Sequence, residues 1–263
     1  MRILTISGNH PRHLYYVNKI LEKYPITGCI LQKREELVPE VPNHSSENDR
    51  EIFLEHFRRR QKAEEKYFGD QTYPDCDILE INGEQLNSSI TMDFIKKINP
   101  EIVLLFGCGL IKKDLQSILP IYTVNLHGGL SPWYKGVATL FWPFYFLQPN
   151  YAGSTFHIIS SEVDAGDIIH QVKPKLELDD GIHDVGCKTI VESTDHMLKL
   201  LEIFQKNGKW NLYKQNEVGK TFRNKDFRPE HLRIIYELFD DDIVKHYIRG
   251  SIINDSPKII TQF

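Results

Sequence analysis

The fold class predicted for this chain is α/β, a doubly wound and mostly parallel sheet, and three features of the 263 residues predict it. Short apolar segments of strand length alternate with longer stretches whose apolar residues recur at helical spacing. One segment, Glu101-Ile102-Val103-Leu104-Leu105-Phe106, is apolar on both faces, as central parallel strands are. Two segments run directly into glycine-opened loops, Gly107-Cys108-Gly109 and His127-Gly128-Gly129, where sheets of this kind receive ligands.

Composition narrows the function classes. Hydrophobic residues make up 41% and charged residues 26%, ordinary for a soluble globular protein. The 32 basic and 36 acidic side chains leave a net charge of −4, which argues against nucleic acid as a partner. Cys29, Cys76, Cys108 and Cys187 are scattered and form no C-x-x-C pair, so no metal is expected. The longest apolar run, Leu140 to Leu147, contains Pro143 and is too short to span a bilayer, so no membrane partner is expected. The chain opens on Met1-Arg2-Ile3 without signal-peptide architecture, which sets the expectation of a cytoplasmic protein.

In order, Ile3 to Ile6 reads as a first buried strand and Leu14 to Tyr24 as a helix. The loop between them reaches a helix N-terminus, where free amides favour an anion, and His10, Arg12 and His13 would add donors. An ordinary strand-to-helix loop has the same appearance, and G-x-G-x-x-G is absent. Ile26 to Leu31 is a second strand. The charged stretch 46–69 then interrupts the alternation as an inserted amphipathic helix with Ser46 as N-cap and Phe53, Phe57, Ala63 and Tyr67 near one stripe. Its run Arg58-Arg59-Arg60 reads as a solvated face or an anion site. Ile78 to Ile81 is a short strand, Ser88 to Ile98 a helix closed by Asn99-Pro100, and a short helix to Leu119 follows the strand ending at Phe106.

The next strand carries Asn125 and His127, which share a face because side chains alternate. An aromatic helix over residues 140–146, a strand from Gly153 to Ile159, a tight turn at Asp164-Ala165-Gly166-Asp167 and a strand from Ile168 to Val172 come after it. Gly181 to Gln205 is one long helix. From Lys209 the pattern changes, with Pro229 to Tyr247 helical, so the domain division is 1–208 and a small appendage at 209–263.

A histidine, an asparagine amide and a carboxylate converging at strand ends can move an acyl group to an amine. The amide donates to the carbonyl oxygen as it becomes an oxyanion, and the imidazole shuttles a proton near neutral pH. No serine or cysteine stands in a nucleophile elbow, so direct attack by the amine is the expected route. Three residues capping a strand would look the same, and the wider pattern decides. Asn125-Leu126-His127 is followed by Leu130-Ser131-Pro132-Trp133-Tyr134-Lys135-Gly136, then by Gly153-Ser154-Thr155-Phe156-His157 and, seven residues beyond His157, by Asp164-Ala165-Gly166.

This combination resembles the formyltransferases that use 10-formyltetrahydrofolate, over roughly Met1 to Gln205, with Gly129-Leu130 as a small departure. The resemblance implies a sheet of the formyltransferase type and Asn125, His127 and Asp164 as the catalytic trio, with His157 beside them. It also implies that Phe106, Gly107, Gly109, Leu110, Ile111 and Asp164 hold the pterin of the co-substrate. His10, Arg12, Trp133, Tyr134 and Lys135 are the expected substrate contacts. The stretch from Leu130 to Pro143 is most similar to enzymes that formylate an amine on a nucleotide-linked sugar for surface glycans. Glycinamide ribonucleotide or another small amine, or water in a formyltetrahydrofolate hydrolase, are the alternatives, and a homodimer is compatible with all of them.

Overall fold

The computed structural model describes residues 1–216 and 219–263. Its centre is a sheet of seven strands in the order β3-β2-β1-β4-β5-β7-β8. These are β1 (Ile3–Gly8), β2 (Ile26–Gln32), β3 (Asp77–Ile81), β4 (Ile102–Phe106), β5 (Thr123–His127), β7 (Ser154–Ile158) and β8 (Ile168–Val172). The five from β3 to β5 are mutually parallel, whereas β7 runs antiparallel to both β5 and β8. A separate two-stranded ribbon pairs β6 (Tyr134–Gly136) with β9 (Lys220–Phe222). Helices α1 (Pro11–Leu21), α2 (Glu47–Phe68), α3 (Ser89–Ile98), α4 (Lys113–Gln116), α5 (Trp142–Tyr145), α6 (Ile182–Asn207) and α7 (Ile243–Ile248) complete the set.

Strand order reverses between β1 and β4, which register Ser7 against Phe106. The loops leaving these strands therefore diverge and open the crevice in which doubly wound sheets bind ligands. β4 in turn registers Phe106 against Leu126, so the glycine loop at Gly107 and the end of β5 border the same crevice. One sheet face packs Val17, Ile20, Leu104, Leu126, Met197 and Leu201, the buried sides of α1 and α6 included. The other packs Leu4, Ile30, Ile95, Val103 and Leu105 against α3.

Several expectations shift in detail. The first helix spans Pro11–Leu21 rather than Leu14 to Tyr24, because proline's fixed φ and missing N–H suit the first helical position. α2 matches the inserted helix, and Ser46 Oγ accepts from the Asp49 amide at 3.2 Å as its N-cap. The aromatic helix shrinks to Trp142–Tyr145, and Trp142 stacks at 4.3 Å on Phe222 of β9. The short helix to Leu119 stops at Gln116.

The expected helix from Pro229 to Tyr247 is broken into a 3₁₀ turn (Pro229–Leu232), a π turn (Ile234–Leu238) and α7. Asp240 and Asp241 turn the chain there with φ of 50° and 61°, a region aspartate tolerates better than most residues. Asp241 then caps α6, its Oδ1 accepting from the Ile182 amide at 3.0 Å. Gly181, at the N-cap, has no side chain to do so and no room for one, since a Cβ would lie 2.7 Å from Asp241 Oδ2. The insertion and the tail thus share one apolar core, in which Phe53 and Phe57 of α2 pack with Phe141, Leu232, Ile235 and Val244. No helix among the described residues is long and apolar enough to cross a membrane.

Candidate active site

β5 and β7 build the site by cross-strand pairing. Val124 and Leu126 point into the core, which leaves Asn125 and His127 on the opposite face. His157 stands directly across the ladder from Asn125. Its Nδ1 donates to the Ile158 carbonyl at 3.0 Å, so Nε2 is the acceptor and receives the Asn125 amide at 3.1 Å. The turn leaving β7 folds back over this face and places Asp164 among the three. Its Oδ2 is 3.4 Å from His127 Nδ1, and its Oδ1 is 3.4 Å from His157 Nε2 and 3.5 Å from Asn125 Nδ2. Asp164 has a left-handed φ of 49°, and the Gly136 amide donates to its Oδ2 at 2.8 Å.

The ring of His127 is held from its other side. Its Nε2 lies 3.0 Å from the Tyr134 carbonyl, which can only accept, so the proton of the neutral ring sits on Nε2. The Nδ1 lone pair then faces the Asp164 carboxylate, and a proton delivered to Nδ1 would be shared between imidazole and carboxylate. Burial lowers the pKa of His127 below 6.5, partly opposed by the charge of Asp164. For Asp164, burial pushes upward, but His127, His157 and the Gly136 amide outweigh it and hold the carboxyl at about 2. At neutral pH the pair is a neutral base beside a fixed negative charge.

A cavity of about 460 Å³ opens beside this cluster. It meets the motif at Gly128, whose carbonyl accepts the Thr139 hydroxyl, and at Phe106 on the end of β4. Its polar wall is Arg12, Arg60, Glu64, His56 and His183; Phe57, Phe141 and Phe227 are apolar. Arg12 donates to Glu64 Oε1 at 2.5 Å, while Glu64 Oε2 and Arg60 Nε are buried without a hydrogen-bond partner among the described residues. Burial lowers the Arg60 pKa to about 10 and that of His183 to about 3.

The predicted residues fall into place unevenly. Asn125, His127 and Asp164 converge, and Arg12 lines the cavity. His10 is not in the cavity wall: its Nε2 donates to the Glu35 carbonyl at 2.6 Å and its Nδ1 accepts from Arg12 at 2.9 Å, so it orients Arg12. The Tyr134 side chain is a correction, being 4% exposed with its hydroxyl on Gln148 Oε1 at 2.6 Å. Only its backbone serves the site. Trp133 packs edge-on to Tyr151 at 5.6 Å, and Lys135 pairs with Thr221 in the ribbon.

Along the glycine loop, Phe106 is buried against His13, Gly107 turns with φ 68°, and the Gly109 amide donates to Gln32 Oε1 at 2.7 Å. Leu110 stands 65% exposed at the rim, an apolar surface a ring could cover, and Ile111 packs into the sheet core. Of the arginine run, Arg58 and Arg59 are solvated and Arg60 turns inward. Sequence reading missed His56, Glu64 and His183. The spacing of His56, Arg60 and Glu64, four apart on the face of Phe53 and Phe57, was the available signal. Among the described residues no group of His, Cys, Asp and Glu could hold a metal ion.

Fold and site together define an α/β protein with a cluster of histidines and a carboxylate beside an open cavity at its sheet. A profile of the formyl transferase family matches residues 55–199, over half of the sequence, and the chain belongs to that family. It is 27% identical over 139 residues to the bifunctional polymyxin resistance protein ArnA of Wigglesworthia glossinidia brevipalpis, covering 52% of this chain and 20% of that protein. It is 26% identical over 170 residues to the methionyl-tRNA formyltransferase of Macrococcus caseolyticus, covering 64% and 53%. The match thus spans a fifth and about half of these relatives' lengths. In three dimensions the fold is similar to phosphoribosylglycinamide formyltransferase from Anaplasma phagocytophilum (TM-score 0.57, 16% identity, 85% of this chain and 98% of that one). It is also similar to the formyltransferase PseJ from Anoxybacillus kamchatkensis, whose structure holds UDP-4,6-dideoxy-4-formamido-L-AltNAc and tetrahydrofolate (TM-score 0.53, 16% identity, 93% and 97%).

Proposed function

We propose that the protein transfers the formyl group of 10-formyltetrahydrofolate to the amine of a nucleotide-linked amino sugar, by direct attack, in surface glycan synthesis. The observation that carries this reading is the cluster of Asn125, His127, His157 and Asp164, which the chain joins through Gly128 to the wall of the cavity. The co-substrate supplies an activated formyl carbon, and the loop from Phe106 to Ile111, with Leu110 exposed, is where its ring would lie. The amine nitrogen bonds to that carbon and the bond from carbon to the folate nitrogen breaks. One N–H of Asn125 stays on His157; the other, now at 3.5 Å from Asp164, turns to the developing oxyanion. His127 Nδ1 takes the proton released by the amine, stabilised by Asp164, and passes it to the leaving folate nitrogen.

The cavity supports an acceptor with an anionic group and a planar group. Arg12 and Arg60 suit a phosphate, and Phe57, Phe141 and Phe227 suit a base. The ligand in the PseJ structure has that chemistry. The likeness to the phosphoribosylglycinamide enzyme over 98% of its chain favours glycinamide ribonucleotide as a second reading. Incubating the protein with 10-formyltetrahydrofolate and CMP-, dTDP- and UDP-linked amino sugars, with glycinamide ribonucleotide in parallel, separates the two. A formylated sugar nucleotide in the mass spectrum is expected. Turnover with glycinamide ribonucleotide alone moves the assignment to that substrate, and formate release without any acceptor identifies a hydrolase.

A further inference from the structure

The segment following α6 reaches the Asp164 turn and grips it at three successive residues. Ile168 and Tyr213 exchange both backbone hydrogen bonds, at 2.8 and 2.9 Å. Lys214 Nζ meets Asp167 Oδ2 at 2.8 Å. Gln215 Nε2 then donates to two main-chain carbonyls of the turn, Asp164 at 2.9 Å and Gly166 at 2.7 Å. Both partners are acceptors only, so the orientation of this amide is dictated by its surroundings.

The turn needs such a hold. Asp164 is a non-glycine residue in the left-handed region, and its carboxylate works through contacts of 2.8 to 3.4 Å with Gly136, His127 and His157. Gly166 is pressed so closely onto β7 that a Cβ would lie 1.7 Å from the Ile158 carbonyl oxygen. Relaxation of Asp164 from its positive φ would turn its carbonyl relative to its Cβ, so the carbonyl could not stay on Gln215 while the carboxylate stayed against His127.

We propose that Gln215 is a positioning residue for the formyl-transfer site, bridging the Asp164 and Gly166 carbonyls so that the Asp164 carboxylate is held against His127. Gln215 is not part of the cavity wall. The inference rests on formyl transfer as the proposed function, but its geometric part can be read without turnover, because the charge of Asp164 is what raises the His127 pKa against burial.

The test uses Gln215→Met, equal in length without donors, and Gln215→Lys, which restores N–H donors to the same place. For Gln215→Met the expected result is a kcat lower by about 10²-fold, the scale of a 1 Å misplacement, with the KM of the amine within about twofold. The His127 imidazole, identified in NMR spectra by its loss in His127→Asn, should titrate at lower pH than in the unaltered protein. Gln215→Lys should recover most of kcat. Unchanged kcat and unchanged His127 titration in Gln215→Met overturn the proposal, as does a lysine variant as slow as the methionine one. Where Gln215→Met does not fold, Gln215→Asn, one methylene short of both carbonyls, should show the same losses, and unaltered kcat there overturns it equally. If the unaltered protein formylates no acceptor while the His127 titration shifts as expected, the positioning role stands and the functional reading fails.

Discussion

Asn125, His127, His157 and Asp164 come from one stretch of sequence, on two paired strands and the turn between β7 and β8. The polar wall of the neighbouring cavity is gathered from Arg12 after β1, Arg60 and Glu64 on α2, and His183 at the start of α6. In the first region, backbone groups of Tyr134, Gly136 and Ile158 set the side chains and one carboxylate carries the charge. In the second, charged side chains hold one another, with Glu64 between Arg12 and Arg60 at 2.5 and 3.9 Å. The difference teaches a division of work. Under the proposed function, local pairing fixes atoms to the tolerance that bond making requires, while a wall assembled from distant segments can change without disturbing the cluster.

The sharpest break between the two regions is a carboxylate neutralised in each. Asp164→Asn should lower kcat by up to about 10⁴, the scale seen when the carboxylate behind a catalytic imidazole loses its charge, and should weaken folate binding with it. Steady-state kinetics with a formyl-folate binding titration check this, and activity per folded molecule equal to the unaltered protein would remove Asp164 from the site. Asn125→Ala should cost about 10²–10³ in kcat with folate affinity nearly unchanged.

In the cavity, Glu64→Gln should act the other way round. Glu64 is 3% exposed, and losing its charge removes the carboxylate that Arg12 and Arg60 share and leaves them only His10 and the Leu37 carbonyl, a destabilisation of about 3 kcal/mol. The KM of the acceptor should rise about tenfold with kcat little changed, provided the assay runs well below the lowered Tm. A fall in kcat with unchanged KM would merge the two regions into one.

Acid should separate them as well. In the proposed transfer His127 is a base only while neutral, and its pKa is lowered by burial, so the acid limb of kcat/KM should have its midpoint below pH 6.5. Asp164 raises that pKa, so Asp164→Asn should move the midpoint lower still. In the cavity wall, burial holds His183 at about 3 and lowers His56 well below 6.5. Folded values below the unfolded one mean stability that is full above pH 6.5 and lost as pH falls toward 3. Denaturant titrations across that window should show proton uptake on unfolding, and a flat profile would contradict the buried, neutral state of these rings.

The smallest expected effect belongs to a residue outside both regions. Ser46→Ala removes the N-cap of α2 and should cost about 1 kcal/mol, with kcat and KM unaltered. A change in KM from this variant would mean that fraying at the first turn of α2 reaches the cavity.

The sequence by itself determined the parts whose causes are local. Strand segments such as Ile102–Phe106 announce themselves by apolar runs, Ser46 by its capping chemistry, and Asn125 and His127 by the alternation that puts them on one face. The seven-residue offset from His157 to Asp164 was legible through the resemblance to the formyltransferases, whose pattern it reproduces. Only the tertiary structure decided which distant segments meet. Arg60 faces the cavity while Arg59 lies over the Tyr236 ring, a choice made by what packs on α2 and not by the run of three arginines. Asp240 and Asp241 break an otherwise helical pattern because Asp241 is required at the start of α6. Tyr134 looked like a ligand contact and is core, since Gln148 and Phe222 converge on it from elsewhere in the chain. Gln215 carries no local signal at all. Its partners are carbonyls about fifty residues earlier, and long-range hydrogen bonds to main-chain oxygens leave no pattern in a sequence because every residue has a carbonyl to offer.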